Sequence, residues 1–276
     1  MLRPPNPGHD QPPPLQEQSV RTEPTQVGAY DLRVAQNIYD DAGFFEGYSG
    51  LPRSMKGLDG APEWPSLRAL LPDMTARSVV DLGCGFGWFC SWAATAGAAD
   101  VLGIDLSSNM LARAAADTTD GRITYEQHDL DQLELPNNSF DLAYSSLTLH
   151  YLADLDRLFE TVHQSLRPGA GFVFSVEHPI CTAPTNPGFV TDDAGVTTWP
   201  VDCYLREGPR TTNWLAPGVV KQHRTITTYV QSLLRAGFTL TDLIEWGPSP
   251  EQIAEVPGWN TELDRPYFLL VSAIRT

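Results

Sequence analysis

The chain has 276 residues, 42% of them apolar, and a formal net charge of −16 from 18 basic and 34 acidic side chains. That length can bury one full core and carry a subdomain. So acidic a surface, with Lys56 and Lys221 as its only lysines, repels phosphate backbones and argues against a nucleic-acid partner. No apolar run approaches bilayer-spanning length, and the N-terminus lacks the apolar stretch of a signal peptide. The cysteines Cys84, Cys90, Cys181 and Cys203 form no C-x-x-C pair and no cluster with histidine. They predict reduced thiols in the cytoplasm and no metal site.

Residues 1–26 hold Pro4, Pro5, Pro7, Pro12, Pro13, Pro14 and Pro24 among polar residues. Such a composition buries too little apolar surface to offset ordering entropy and predicts a disordered tail. Residues 27–74 are expected to form an N-terminal helical and aromatic lid segment. A short helix is expected from Leu32 to Tyr39, followed by an aromatic, glycine-rich passage from Phe44 to Ser54 that can cover a ligand or simply pack on the surface.

From residue 75 to 177 the pattern alternates. Strands are expected near Ser78–Leu82, Asp100–Asp105, Ile123–Gln127, Phe140–Ser145 and Gly171–Val176. Helices are expected at Gly87–Ala96 (stopped by Gly97), from Ser107 or Ser108 to Ala116, and at Ala153–Leu166 (stopped by Arg167-Pro168-Gly169). This predicts a doubly wound, mostly parallel sheet. Residues 178–222 are rich in Pro, Gly, Thr and Trp, and read as a substrate-side insertion after the fifth strand with room for a small hairpin. Residues 223–276 return to the core with a helix near Thr225–Ala236, stopped by Gly237. Strands near Thr239–Glu245 and Phe268–Ile274 follow, joined through Gly247-Pro248-Ser249-Pro250 and a short helix around Glu251.

The most informative segment runs Val79-Val80-Asp81-Leu82-Gly83-Cys84-Gly85-Phe86-Gly87, with Asp105 eighteen positions after Gly87. An apolar strand ending in a glycine turn and a helix, then a second strand ending in an acid, is a βαβ cofactor unit. A dinucleotide fingerprint would place its third glycine where Trp88 stands, and Asp81 would oppose a pyrophosphate while suiting a cationic amine. An NAD-dependent oxidoreductase is therefore the weaker reading.

The segment Asp81-x-Gly83-x-Gly85-x-Gly87 resembles motif I of class I S-adenosylmethionine (SAM)-dependent methyltransferases. Ile104-Asp105-Leu106-Ser107, Gln127-His128-Asp129-Leu130, Phe140 to Ser145 and Leu166 to Gly171 resemble the later motifs. Together they are similar to the small-molecule branch that includes ubiquinone and menaquinone methylases. The resemblance implies a Rossmann-like sheet of seven strands ending in an antiparallel hairpin, with SAM as cofactor. It implies a cofactor site of Asp81, Gly83, Cys84, Gly85, Gly87, Asp105, Leu106, Met110, Asp129, Leu130 and Ser145. In that site Asp105 meets the ribose hydroxyls, Met110 lies beneath the cofactor, Asp129 accepts from the adenine amino group and the Leu130 backbone meets the ring. Tyr144-Ser145-Ser146-Leu147 stands where nucleic-acid and glutamine N-methylases carry Asn-Pro-Pro-Tyr, which disfavours those substrates.

Methyl transfer proceeds in line, and a base is needed only where the acceptor carries a proton. Candidate catalytic groups are His178, His150, Glu177 and His223, each with a plain packing role as its alternative. Arg224 is a candidate clamp for a carboxylate or phosphate. His163 is expected to be solvated and His128 to be set by strand packing. Trp199, Tyr204 and Trp214 suit an apolar or aromatic acceptor, or fold the insertion on itself. The expected activity is methyl transfer to a small-molecule O, N or C acceptor; a non-methylating SAM-binding role is the other reading with the same cofactor. Monomer and homodimer are equally compatible with the sequence.

Overall fold

The computed structural model describes residues 36–276, so the expected tail over residues 1–26 and most of the expected helix from Leu32 lie outside the described residues. In chain order, a 3-10 turn at Ile38–Asp40 leads into α1 (Ala42–Ser49), α2 (Pro52–Met55) and α3 (Trp64–Ala69). The core then runs β1 (Ser78–Leu82), α4 (Trp88–Thr95), β2 (Asp100–Asp105), α5 (Ser108–Asp117), β3 (Ile123–Gln127), β4 (Phe140–Ser146), α6 (Leu155–Ser165) and β5 (Leu166–Glu177). After α7 (Pro179–Thr182) come two hairpins, β6 (Val190–Thr191) with β7 (Thr197–Thr198) and β8 (Gly208–Thr212) with β9 (Val219–His223). The chain closes with α8 (Ile226–Ala236), β10 (Phe238–Trp246), α9 (Pro250–Glu255) and β11 (Phe268–Arg275).

Seven strands form one sheet in the order β10-β11-β5-β4-β1-β2-β3. The pairs among β1 to β5 are parallel, while β11 runs antiparallel to both β5 and β10. The strand order reverses between β1 and β4, so their carboxyl ends frame the crevice where open α/β sheets bind ligands.

Alternate residues of each strand feed two cores. Val80, Leu82, Ile104, Ala143, Phe172 and Phe174 pack with Leu158, Phe159 and Val162 of α6 and Tyr229 and Leu233 of α8. Val79, Val101, Leu142, Tyr144, Val173 and Leu270 pack on the other face with Trp64 and Leu67 of α3 and Phe89, Cys90 and Ala93 of α4. Strands buried on both faces are what near-continuous apolar runs specify.

The helix ends follow local chemistry. Ser107 caps α5 by accepting from the Met110 N–H. Gly97 and Gly237 end α4 and α8 at φ of 105° and 99°, a region closed to most side chains. The glycine-rich aromatic passage of the expected helical and aromatic segment folds as α1 and α2. Asp41 caps α1 by accepting from the Phe44 N–H at 2.9 Å, and Phe44 is fully buried among aromatic rings. The described part of the expected helix ending at Tyr39 is only the turn at Ile38–Asp40. Among the described residues, no helix is long and apolar enough to cross a membrane.

Candidate functional site

The carboxyl ends of β1 and β2 hold the glycine loop. Gly83, Gly85 and Gly87 all have positive φ, at 81°, 53° and 73°. At Gly85 a Cβ would stand in open space, so the missing side chain leaves a cradle. At Gly83 a Cβ would fall 2.1 Å from Thr148 Oγ1, and at Gly87 2.1 Å from Tyr125 Oη. Those two glycines therefore permit close packing of the loop against the segment after β4 and against β3. The Gly83 and Cys84 N–H groups donate to the Ile104 carbonyl.

Asp105 accepts from the N–H groups of Gly85 and Ser107, each at 2.9 Å. Burial raises its pKa despite those bonds. Asp81 is 2% exposed. Its pKa is raised to about 7, chiefly by burial, with the Cys90 thiol at 3.3 Å opposing that rise and Asp105 adding to it. The Cys84 thiol is buried and pushed up to about 11, so it is not a nucleophile at neutral pH. Met110 is buried on the inner face of α5, and the Leu106 carbonyl accepts from Gln127. Asp129 caps a 3-10 turn over Leu130–Gln132, and the Leu130 side chain belongs to the core. Ser145 is interior, with its hydroxyl donating to the Leu82 carbonyl at 2.7 Å. It is the neighbouring Ser146 that lines the pocket at the glycine loop.

That pocket is lined by Tyr48 and Arg53 of the passage read as able to cover a ligand, and by Glu63 and Trp64, which sequence reasoning did not single out. Asp81, Gly83 and Gly85 face Tyr48, Arg53, Glu63 and Trp64 of the N-terminal segment across it. Arg53 donates to both carboxylate oxygens of Glu63, at 2.8 and 3.0 Å, and Glu63 is fully buried. Asp40 joins the same segment to α5, accepting from Ser107 Oγ and from the Asn109 N–H at 3.1 Å. Only the placing of an arginine within an aromatic passage hinted at this in the sequence.

From Tyr48 a run of rings leads away from the pocket. Tyr48 meets Tyr39 at 5.2 Å, Trp214 at 6.4 Å and Phe86 at 5.8 Å between centroids, and Tyr39 meets Tyr151 at 6.0 Å. Beyond them the Lys221 ammonium lies 4.8 Å from the Trp214 centroid and 2.6 Å from a Glu177 oxygen. Lys221 holds the Glu177 carboxyl below its usual range against the opposing effect of burial. His150 is buried, stacks near Tyr151 at 4.5 Å and turns Nδ1 toward the Glu177 N–H at 3.5 Å. Burial lowers its pKa to about 4, with Lys221 and Arg224 adding to the shift and Glu177 opposing it.

The remaining histidines are differently engaged. His178 accepts from the Ile180 N–H through Nδ1 and meets Glu245 through Nε2 at 3.0 Å, capping α7. His223 meets Thr182 Oγ1 at 2.8 Å and donates to the Tyr204 carbonyl at 2.9 Å. Both rings thus have both nitrogens in hydrogen bonds, whereas His150 leads into the aromatic run. His163 is half-buried rather than solvated, with its Nε2 closed off beneath Gly237. His128 is exposed beside Glu126 rather than set by packing. Of the insertion aromatics, Trp214 joins the run from Tyr48. Trp199 instead donates to the Ile180 carbonyl and stacks on Arg265, and Tyr204 lies against His223.

The methyltransferase domain family profile matches residues 80–174, the stretch from β1 into β5. A solved S-adenosylmethionine dependent methyltransferase from Mesorhizobium loti is 60% identical, covers 79% of this chain and all of its own, and superposes with a TM-score of 0.77. An uncharacterized protein of Haemophilus influenzae is 31% identical over 249 residues, 86% of this chain and 96% of its own length. Trans-aconitate 2-methyltransferase of Deinococcus radiodurans is 37% identical over 139 residues, 48% of this chain and 52% of its own length. Together with a glycine cradle between the buried Asp81 and the half-buried Asp105, these likenesses establish S-adenosylmethionine as the cofactor. The chain belongs to the class I SAM-dependent methyltransferase family.

Proposed function

We propose that this protein methylates a small-molecule acceptor at O, N or C in the cytoplasm. The observation that carries this reading is the continuity of two regions. A pocket with an anionic and a cationic pole, Asp81 and Arg53, shares Tyr48 with an aromatic run ending at Lys221, Glu177 and His150. The relative named for trans-aconitate supports the small-molecule class.

Bound SAM supplies an electrophilic methyl group on a sulfonium sulfur. The residues present would hold it in a definite sense. Asp81 suits its ammonium, Arg53 its carboxylate and Asp105 its ribose hydroxyls. Asp129 and the Leu130 backbone suit the adenine, as the family pattern implies. Tyr48, Tyr39, Tyr151 and Trp214 exclude water from the acceptor and orient an apolar body. His150 is neutral at pH 7 and accepts from the Glu177 N–H through Nδ1, so its ring proton sits on Nε2 and suits it to donate to the acceptor, with Glu177 beside it. A pKa near 4 makes it a weak base, which favours acceptors that lose their proton readily or carry none. His178 and His223 are assigned to orienting the insertion, because their ring nitrogens are already bonded.

Calorimetric titration with SAM and S-adenosylhomocysteine tests the cofactor half. Micromolar binding by the wild type and its loss in Asp105→Ala are expected, and absence of binding by the wild type overturns the proposal.

A further inference from the structure

On the acceptor side, Arg224 is a buried cation with an unmet hydrogen-bonding group. Arg224 follows β9 and precedes α8, and is 9% exposed. Its Nη2 donates to the carbonyls of Leu152 and Ala153, at 2.5 and 3.1 Å, just after the turn that carries His150. Its Nη1 is buried and has no hydrogen-bond partner. A guanidinium nitrogen shut away from water without an acceptor is costly, and native structures rarely leave one so.

The surrounding charges are already engaged. Glu177 binds Lys221, Glu262 binds Arg265 and Asp156 binds Arg235. Glu207 accepts from Thr225 and Thr228 at the start of α8. Arg224 meets two carbonyl oxygens and the Tyr229 phenol, and among the described residues no carboxylate forms an ion pair with it. Tyr229 lies against the same guanidinium, and His150 feels its field.

We propose that the acceptor is a small carboxylic acid with an apolar or aromatic body, and that Arg224 Nη1 binds its carboxylate. This rests on the methyltransferase reading above. The carboxylate end lies beside His150 and Tyr151, and the body runs along Tyr39, Tyr48 and Trp214 toward the cofactor pocket. A carboxylate supplies one negative charge and an acceptor oxygen for the unmet N–H group. A phosphate dianion would bring a second negative charge into a chain whose net charge is already −16. Arg224 acts on acceptor binding and orientation, not on the methyl group.

The test uses the full chain saturated with S-adenosylhomocysteine. It is titrated with benzoate, trans-cinnamate and indole-3-acetate, with the matching amides, and with inorganic phosphate. At least one acid is expected to bind about tenfold or more tightly than its amide. Arg224→Gln should abolish that preference while S-adenosylhomocysteine affinity stays within about twofold, and Arg224→Lys should keep part of it. If Arg224→Gln fails to fold, the acid–amide comparison on the wild type decides alone. Equal binding of acids and amides, no binding of any acid, or tighter binding of phosphate than of every acid overturns the proposal. Failure to bind S-adenosylhomocysteine would instead overturn the methyltransferase reading.

Discussion

Arg53 and Glu63 are locked together across ten residues by two hydrogen bonds from one guanidinium nitrogen, at 2.8 and 3.0 Å, at the wall of the pocket that faces Asp81. The pair ties α2 to the start of α3 and presents a cation opposite a carboxylate. A zwitterionic amino-acid end fits between such poles.

Breaking this pair should cost both folding and binding. Arg53→Met leaves Glu63 buried and unpaired, and the expected loss is about 3 kcal/mol in denaturant unfolding. SAM affinity should fall about tenfold or more. The double variant Arg53→Met with Glu63→Leu should regain most of the stability without the affinity. Recovery of affinity in the double variant would mean that Arg53 only holds the fold.

Asp81 sets a pH dependence on cofactor binding. With a pKa near 7, it is ionised above neutrality and protonated below. Only the carboxylate attracts the SAM ammonium, so affinity should fall toward tenfold per pH unit below pH 7. Asp81→Asn should bind SAM weakly and show a flatter profile between pH 5.5 and 7.5. An unchanged slope in that variant would move the dependence to another group.

Folding stability of the apoprotein should show two opposing slopes in acid. His150, held near pKa 4 against an ordinary 6.5, takes up its proton more readily when unfolded. Stability from this group is present above pH 6.5 and is lost as pH falls toward 4, by about 3 kcal/mol at most. Asp81 acts the other way: its neutral form suits burial, so its contribution is present below pH 4 and is lost as pH rises through 7. His150→Asn should therefore leave stability falling with pH between 4 and 6.5, and Asp81→Asn should leave it rising. Equilibrium urea unfolding at several pH values checks both signs.

Gly87 should tolerate no side chain. Alanine there meets a φ of 73° and Tyr125 Oη at 2.1 Å. Gly87→Ala is expected to lose about 2–4 kcal/mol in thermal or urea unfolding, from backbone strain and displacement of the phenol. Adding Tyr125→Phe should recover only part of the steric cost, since the ring Cζ still lies 2.9 Å from the new Cβ, and leave the strain. Gly121, exposed and with open space around its Cβ position, is the control, with Gly121→Ala near neutral.

Much of the core was readable because its signals are local. The apolar runs of β1, β2 and β3 match their expected limits at Ser78–Leu82, Asp100–Asp105 and Ile123–Gln127. Ser107, Gly97 and Gly237 mark helix ends through their own hydrogen bonds and backbone angles. The N-terminal segment was less legible. Its helical character was expected but not its helix limits, because its glycines weaken the local signal and burial of Phe44 among Tyr39, Tyr48 and Trp214 fixes them. In the insertion, β8 and β9 pair through a register that the scattered Pro, Gly and Thr do not announce.

The sequence by itself determined the family, the parallel sheet and the cofactor, because a glycine turn between a strand and a helix and an acid after the next strand are contiguous patterns with one physical use. Tertiary structure alone decided which histidine leads into the aromatic run. His150, His178 and His223 are equivalent as letters and differ only in what surrounds their ring nitrogens. It also decided that Arg53 meets Glu63, that Lys221 meets Glu177, and that Arg224 is buried with one nitrogen unmet. Those relations join residues brought together by the packing of separate elements, and packing is set by how the faces fit rather than by the order of residues along the chain.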